Sequence, residues 1–143
     1  MSDVMFRKDG HVASVRLNRP AGLNAITPEM DGMLSDAWAT INDDPDIWVA
    51  VLSAEGEKSF CIGADVSGGT DRVGRMALGG GLTGIGGPLV TLKKPLIAAV
   101  QGFCVGGGFE LARPKCSAWS ALIRSPVRII CIAIRCGNCR IAR

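Results

Sequence analysis

The sequence predicts an α/β domain, because apolar segments of strand length alternate with bends of small residues and with one clear helix. Residues 11–18 alternate apolar and polar side chains, as a strand with one buried face does. Residues 47–55 and 96–102 are continuous apolar runs, so we expect two strands that are covered on both faces. At 143 residues, the chain is long enough to build a single core.

A helix is predicted to begin directly after Thr27. Thr27 can cap the helix, Pro28 suits its first position and Glu29 complements its dipole. Apolar side chains then recur at helical spacing, which predicts one stripe that packs into the core. The stripe consists of Met30, Met33, Leu34, Ala37, Trp38 and Ile41.

Charge and cysteine content divide the chain just after Ala112. Residues 1–112 carry nine Lys and Arg residues and all 13 acidic residues, a net charge of −4, whereas residues 113–143 carry seven basic residues and no acid. Four of the six cysteines also lie in residues 113–143. We therefore expect a folded unit over 1–112 and an aberrant basic, Cys-rich tail over 113–143. Our hypothesis is that the tail is translated out of frame, which the nucleotide sequence across codons 108–118 would test.

Composition excludes several classes of function. No apolar run approaches the roughly 18 residues that a membrane-spanning helix needs, and no signal peptide is recognisable, so we expect a cytoplasmic protein with no membrane partner. A nucleic-acid binder that uses the tail is disfavoured, because Trp119 is its only aromatic residue.

Metal and nucleotide sites are also disfavoured. Cys136 and Cys139 form a C-x-x-C pair, but their surroundings do not fit zinc-ligand spacing, and the only histidine, His11, is far away and reads as a surface residue on a strand. A formal G-x-G-x-x-G at Gly79, Gly81 and Gly84 follows no convincing strand and opens no helix, as a dinucleotide site requires. We expect the Gly-rich residues 67–88 to form a loop.

Two bends of small residues could carry chemistry. In the first, Gly63 and Ala64 leave a backbone N–H unobstructed; in the second, residues 106–108 are three glycines that lead into a helix, whose first N–H groups lack partners. Two such N–H groups that converge form an oxyanion hole, and Glu110 follows where a general acid/base is useful. The plain alternative is that the glycines serve close packing and that Glu110 only complements a helix dipole.

The segments "RPAGLNAIT", "FCIGADV" and "VQGFCVGGGFELA" occur in order between about Val12 and Ala112 and strongly resemble the enoyl-CoA hydratase/isomerase (crotonase) family. The resemblance implies the crotonase-like (ClpP/crotonase) spiral of β-β-α units, truncated here with its C-terminal part missing. It implies a lyase that hydrates trans-2-enoyl-CoA to 3-hydroxyacyl-CoA in fatty acid β-oxidation. It also implies an acyl-CoA substrate and no cofactor, since coenzyme A is part of the substrate, and no metal.

The resemblance assigns roles to individual residues. It implies that the N–H groups of Ala64 and Gly107 form the oxyanion hole and that Glu110 is a catalytic glutamate. It further implies that a set of neighbouring residues lines the acyl-CoA: Ala25, Gly63, Asp65, Val66, Ser67 and Gly106.

The chain also departs from the family. No acidic residue follows Glu110, so the family's second catalytic glutamate has no counterpart, and the helices with which relatives form trimers or hexamers are absent. Two alternatives to a hydratase therefore remain: an enoyl-CoA isomerase of the same family, which can use one glutamate, or a catalytically inactive fragment.

Overall fold

A computed structural model describes residues 2–67, 92–112, 119–123 and 129–133 of the chain. These residues contain eight strands and two α-helices. The strands are β1 (Val4–Asp9), β2 (Val12–Leu17), β3 (Val49–Ala54), β4 (Ser59–Cys61), β5 (Leu96–Val100), β6 (Phe103–Cys104), β7 (Trp119–Ile123) and β8 (Ile129–Ala133); the helices are α1 (Pro28–Asp43) and α2 (Gly107–Ala112).

Six of these strands form one mixed sheet in the order β1-β2-β3-β5-β8-β7. The central strands β2, β3 and β5 run parallel, and β1 pairs antiparallel with β2. Strands β4 and β6 form a separate parallel pair. This pair, against which α2 packs, leads into the two glycine-containing bends that the sequence analysis selected as a possible oxyanion hole.

Helix α1 begins where the sequence predicts. The Thr27 side chain accepts a hydrogen bond from the backbone N–H of Met30 at 3.2 Å, and Pro28 is the first helical residue. The predicted stripe is confirmed except at Met33, whose side chain is exposed; its other members are buried against the sheet. Burial of this stripe joins α1 to the hydrophobic core that also contains residues of β2, β3 and β5.

The expectation that β3 and β5 are covered on both faces is wrong. Ala50, Leu52 and Ala98 are fully buried, but the residues between them, such as Val51 and Ala99, are only half-buried. Among the described residues, α1 packs into the core on one side of the sheet. A continuous apolar run in the sequence does not show whether a second layer covers the other face.

Three features lie outside what the sequence predicts. Strand β1 was not expected, and two tail segments form β7 and β8, with β8 antiparallel to β5. His11 lies in the turn between β1 and β2 rather than within a strand, and its ring stacks on Trp48 with ring centroids 3.8 Å apart. The division of the chain after Ala112 stays a prediction.

In the part of the chain that the structure describes, neither helix combines the length and the hydropathy of a membrane span.

The buried stripe of α1 makes a stability prediction. We expect Leu34→Ala to lower the free energy of unfolding by about 2–5 kcal/mol, because Leu34 is fully buried and its removal leaves a cavity. Met33→Ala is the matched control on the same helix; Met33 is 40% exposed, so we expect a change within about 0.5 kcal/mol. Urea denaturation followed by circular dichroism measures both, and equal losses would contradict the packing of α1.

Candidate active site

The bend after β4 and the bend after β6 lie side by side. Cys61 at the end of β4 pairs with Cys104 at the end of β6, so the two parallel strands release their chains at the same edge. The Val105 N–H donates to the Cys61 carbonyl at 3.1 Å and extends this pairing by one residue. The sequence stretches "CIGAD" and "VGGGFE" are therefore neighbours in space.

Close approach of the two bends depends on missing side chains. Gly63 has φ +98°, and a methyl group on it would lie 3.0 Å from the Gly107 nitrogen. A methyl group on Gly108 would lie only 2.2 Å from the Cys61 carbonyl oxygen, far inside contact distance. Glycine at these two positions lets the start of α2 rest directly on the end of β4.

The main-chain N–H groups of Ala64 and Gly107 both lie at this junction. Ala64 is half-buried and forms an isolated parallel bridge with Ile26, in which Ile26 accepts from Asp65 N–H and donates to the Gly63 carbonyl, each at 2.8 Å. In such a bridge the central residue turns its own N–H to the opposite side. Within the described residues, neither Ala64 N–H nor Gly107 N–H donates to a backbone carbonyl.

A third segment, residues 19–26, packs against the first bend through the same bridge. It contains a short 3₁₀ turn, Pro20–Gly22, followed by Leu23 and Asn24 with φ of 53° and 55°. Left-handed backbone at Leu23 is strained and persists only where surrounding bonds fix it. Ala25 follows directly; it is buried, and its carbonyl accepts from Arg19 at 3.1 Å.

Asn24 supplies those fixing bonds. Its side chain is fully buried, its Oδ1 accepts from the Arg19 N–H at 2.9 Å, and its Nδ2 donates to the carbonyls of Glu55 and Ser59. Three of the four hydrogen bonds that an Asn side chain can make are thus used to hold the segment. Sequence reasoning did not single out Asn24, although Asn is among the non-glycine residues that most often adopt a left-handed backbone.

An ion pair joins the third segment to the first bend. Arg19 Nη1 lies 2.6 Å from Asp65 Oδ2, and the Asp65 side chain is 13% exposed. Hydrogen bonds from the Ser67 side chain and backbone, and then from Arg19, lower the pKa of Asp65 from 3.8 to about 2. Asp65 is therefore ionised at neutral pH and committed to these partners. Arg19 is a second residue that sequence reasoning missed, because ion pairs between distant loops leave no local pattern.

The remaining predicted site residues surround the junction. Gly106 is exposed with φ +53°, and its carbonyl accepts from the Glu110 N–H at 3.1 Å, so Glu110 lies one turn into α2 with an exposed side chain. Val66 and Ser67 are also exposed and continue the first bend outward. The structure thus brings Gly63, Ala64 and the glycines at 106 and 107 together, with Ala25 and Asp65 behind them.

Cys61 lies beneath this junction. Burial raises the pKa of its thiol to about 11, although the Gly63 N–H, 3.4 Å from the sulfur, opposes the shift. A thiol with so high a pKa is not a nucleophile at neutral pH, and we assign Cys61 to packing.

The described residues contain no group of three or more His, Cys, Asp or Glu side chains that could hold a metal ion. The glycines at 79, 81 and 84 and the Cys136–Cys139 pair lie outside the described residues.

Comparison with known proteins follows the same motifs. The family model described as Enoyl-CoA hydratase/isomerase matches residues 7–114. An (E)-benzylidenesuccinyl-CoA hydratase of Thauera aromatica is 42% identical over 112 residues, which is 76% of this chain and 43% of the relative. A Short-chain-enoyl-CoA hydratase of Clostridium acetobutylicum is 38% identical over 121 residues, 78% of this chain and 44% of the relative.

Solved structures agree with these matches. A provisionally assigned short chain enoyl-CoA hydratase from Novosphingobium aromaticivorans is 72% identical, with a TM-score of 0.65, over 78% of this chain and 42% of that protein. An enoyl-CoA hydratase from Mycobacterium tuberculosis is 32% identical, with a TM-score of 0.66, over 77% of this chain and 42% of that protein. The chain therefore spans less than half the length of the proteins it matches.

The contact of Gly108 with Cys61 predicts intolerance of any side chain. We expect Gly108→Ala to lower the free energy of unfolding by about 1–3 kcal/mol or more, because the new methyl group meets a backbone carbonyl that cannot move aside cheaply. Gly32→Ala in α1 is the control: a methyl group there meets nothing within 4 Å, so we expect stabilisation of about 0.5–1 kcal/mol. Chemical denaturation of both variants decides, and a stable Gly108→Ala protein would refute the close approach.

The Asp65 carboxylate predicts acid-dependent stability. Because folding lowers its pKa from 3.8 to about 2, its stabilisation is fully present above about pH 4 and is lost as the pH falls through 2. We expect wild type to exceed Asp65→Asn in unfolding free energy above pH 4, and the difference to shrink towards pH 2. Urea titrations at pH 6, 4, 3 and 2 measure it, and a difference independent of pH would contradict the ionised pair.

Proposed function

Because the chain belongs to the enoyl-CoA hydratase/isomerase family, we propose that it binds acyl-CoA thioesters and hydrates a trans-2-enoyl-CoA to the 3-hydroxyacyl-CoA. Its matched part has the crotonase-like α/β fold of the solved hydratases. The relatives that it resembles carry hydratase names, including Short-chain-enoyl-CoA hydratase and Crotonyl-CoA hydratase. The observation that carries the proposal is the contact between the Gly63–Ala64 and Gly106–Gly107 peptides, described above.

The proposed chemistry follows from charge development in the substrate. When water adds to C3 of an enoyl thioester, the electron pair of the double bond moves towards the thioester oxygen, which becomes negative. The N–H groups of Ala64 and Gly107 would both donate to that oxygen, and each such donor is typically worth about 10²- to 10³-fold in rate. That both groups are free of backbone acceptors among the described residues supports this role.

Glu110 would act as the general base. Its carboxylate takes one proton from the attacking water while the water oxygen bonds to C3, and a proton must then be added to C2 to complete the addition of H and OH. In this sequence no Asp or Glu follows Glu110. The same carboxyl group would therefore both remove and return the proton, so we expect hydration to be slow.

A specific observation also favours an isomerase. Moving a double bond from C3–C4 to C2–C3 takes a proton from C2 and returns one to C4, which a single carboxylate can do. Glu110 is the only acidic residue beyond Asp71. Isomerisation of a 3-enoyl-CoA is accordingly our second candidate, and a chain that binds thioesters without turnover is the third.

We propose that the reaction serves fatty acid breakdown in the cytoplasm and needs neither an organic cofactor nor a metal. The substrate-lining residues are those around the two bends, with Ala25, Asp65, Val66 and Ser67 on the side of the first bend.

Replacement of Glu110 tests the function. We expect Glu110→Gln to lower turnover of crotonyl-CoA by about 10²- to 10⁴-fold, because the amide cannot accept a proton. Loss of absorbance by the conjugated thioester measures hydration. The same assay with 3-butenoyl-CoA, in which absorbance rises, measures isomerisation, so the two substrates separate the first two candidates.

Glu29→Gln is the matched control, since Glu29 occupies the first turn of α1 as Glu110 occupies that of α2. We expect it to leave turnover unchanged. Equal activity of wild type and Glu110→Gln on both substrates would refute the role of Glu110, and tight thioester binding without turnover would select the third candidate.

A further inference from the structure

Arg19 contacts two of the segments that surround the candidate site. Its Nη1 atom donates both to the Ala25 carbonyl at 3.1 Å and to Asp65 Oδ2 at 2.6 Å. The two acceptors belong to the segment 19–26 and to the first bend, which are far apart in the sequence. One nitrogen atom therefore connects the segment 19–26 with the first bend, through a backbone carbonyl of the one and a side-chain carboxylate of the other.

The position of the guanidinium group is built into the fold. Gly22 lies beneath it: a methyl group there would lie 2.9 Å from both Arg19 Cζ and Arg19 Nη1. The backbone N–H of Arg19 is held in turn by Asn24 Oδ1. The chain thus leaves space for the guanidinium and anchors the residue that carries it.

The ion pair between Arg16 and Glu55 provides a comparison, because it is more exposed to solvent. Arg16 Nη1 lies 3.0 Å from Glu55 Oε2, with side chains 52% and 48% exposed, whereas Arg19 and Asp65 are 30% and 13% exposed. Exposed pairs of the first kind contribute little because water competes for both partners. The more covered pair, with its second acceptor on Ala25, holds its geometry better.

Holding Asp65 also fixes Ala64. The carboxylate of Asp65 is fixed by Arg19, its N–H by the Ile26 carbonyl, and the Gly63 carbonyl by the Ile26 N–H. Ala64 lies between these two held residues, so the direction of its own N–H is set by bonds on both sides. Loss of the ion pair would leave the two backbone bonds to Ile26 and the local bond from Ser67 N–H to Asp65 Oδ1, so no side chain of the segment 19–26 would then hold Asp65.

We propose that Arg19 is a positioning residue for the main-chain donor of Ala64: it holds the first bend against the Ala25 segment, so that the Ala64 N–H points steadily at the thioester oxygen. The positioning of the bend stands on the contacts above, whereas its use on a thioester rests on the proposed function. Arg19 itself does not touch the reacting atoms.

Hydrogen exchange on the full chain tests the positioning directly. The reporters are the amides of Ile26 and Asp65, whose bonds join the two segments. We expect Arg19→Met to speed their exchange about fivefold or more, and Arg19→Lys to restore much of the protection, because both bonds come from one nitrogen that an ammonium can replace. Gly22→Ala, which displaces the guanidinium without removing it, should speed exchange by a smaller factor.

Arg16→Met is the matched control, which removes an arginine of similar reach from the exposed pair. We expect it to leave both reporter amides unchanged. Equal exchange in wild type and Arg19→Met, or equal acceleration by Arg16→Met, would overturn the positioning role. If Arg19→Met does not fold, Gly22→Ala carries the test, and wild-type exchange of both reporter amides in that variant would overturn the positioning role.

Binding provides the second readout. Acetoacetyl-CoA, whose enolate carries the negative charge that an oxyanion hole recognises, is compared with coenzyme A alone by calorimetry. We expect Arg19→Met to lower the preference for acetoacetyl-CoA over coenzyme A about tenfold without weakening coenzyme A itself, a pattern that general destabilisation would not give. An unchanged preference would refute the link from Arg19 to the donor. A wild-type protein with no preference would refute the proposed function, while the exchange data would still decide whether Arg19 positions the bend.

Discussion

The candidate site depends on contact between two stretches of backbone with no side chain between them. A methyl group on Gly108 would collide with the Cys61 carbonyl at the end of β4, and one on Gly63 would press tightly on the Gly107 nitrogen. Main chain is the most rigid donor that a protein can offer, because a peptide N–H has no rotamers to lose. A site built from such groups needs little besides correct placement of strands, and the parallel pairing of β4 with β6 supplies that placement.

Rigidity of the first bend requires further support, since a strand of three residues such as β4 is short. Ile26 gives it two hydrogen bonds, and Asn24 and Arg19 fix the segment from which Ile26 projects. Asn24 is buried, and its side chain is hydrogen-bonded to three backbone groups, so it links the segment 19–26 to β4. The strained backbone at Leu23 persists because the hydrogen bonds of the neighbouring Asn24 hold the segment in this conformation.

The sequence predicted well wherever the signal was local. Thr27 and Pro28 mark the start of α1, and helical spacing correctly selected its buried face except at Met33, because a stripe has edges that periodicity alone does not define. The two glycine bends were located, but their contact depends on the pairing of strands that are about 40 residues apart, which no local pattern encodes. The ion pair between Arg19 and Asp65 could not be predicted for the same reason. The half-buried faces of β3 and β5 could not be predicted either, because their exposure depends on what packs against the sheet.

Exposure of the site bears on how much catalysis the described residues can supply. Glu110 is exposed, and so are three apolar side chains close to it in the sequence, with Phe103 at 64%, Val105 at 50% and Phe109 at 45%. Hydrogen bonds to a developing oxyanion strengthen as water is excluded, because competing solvent dipoles weaken every such interaction. Under the proposed function, an exposed carboxylate is therefore a weaker contributor than the two main-chain donors, and we expect thioester binding to be less impaired than proton transfer.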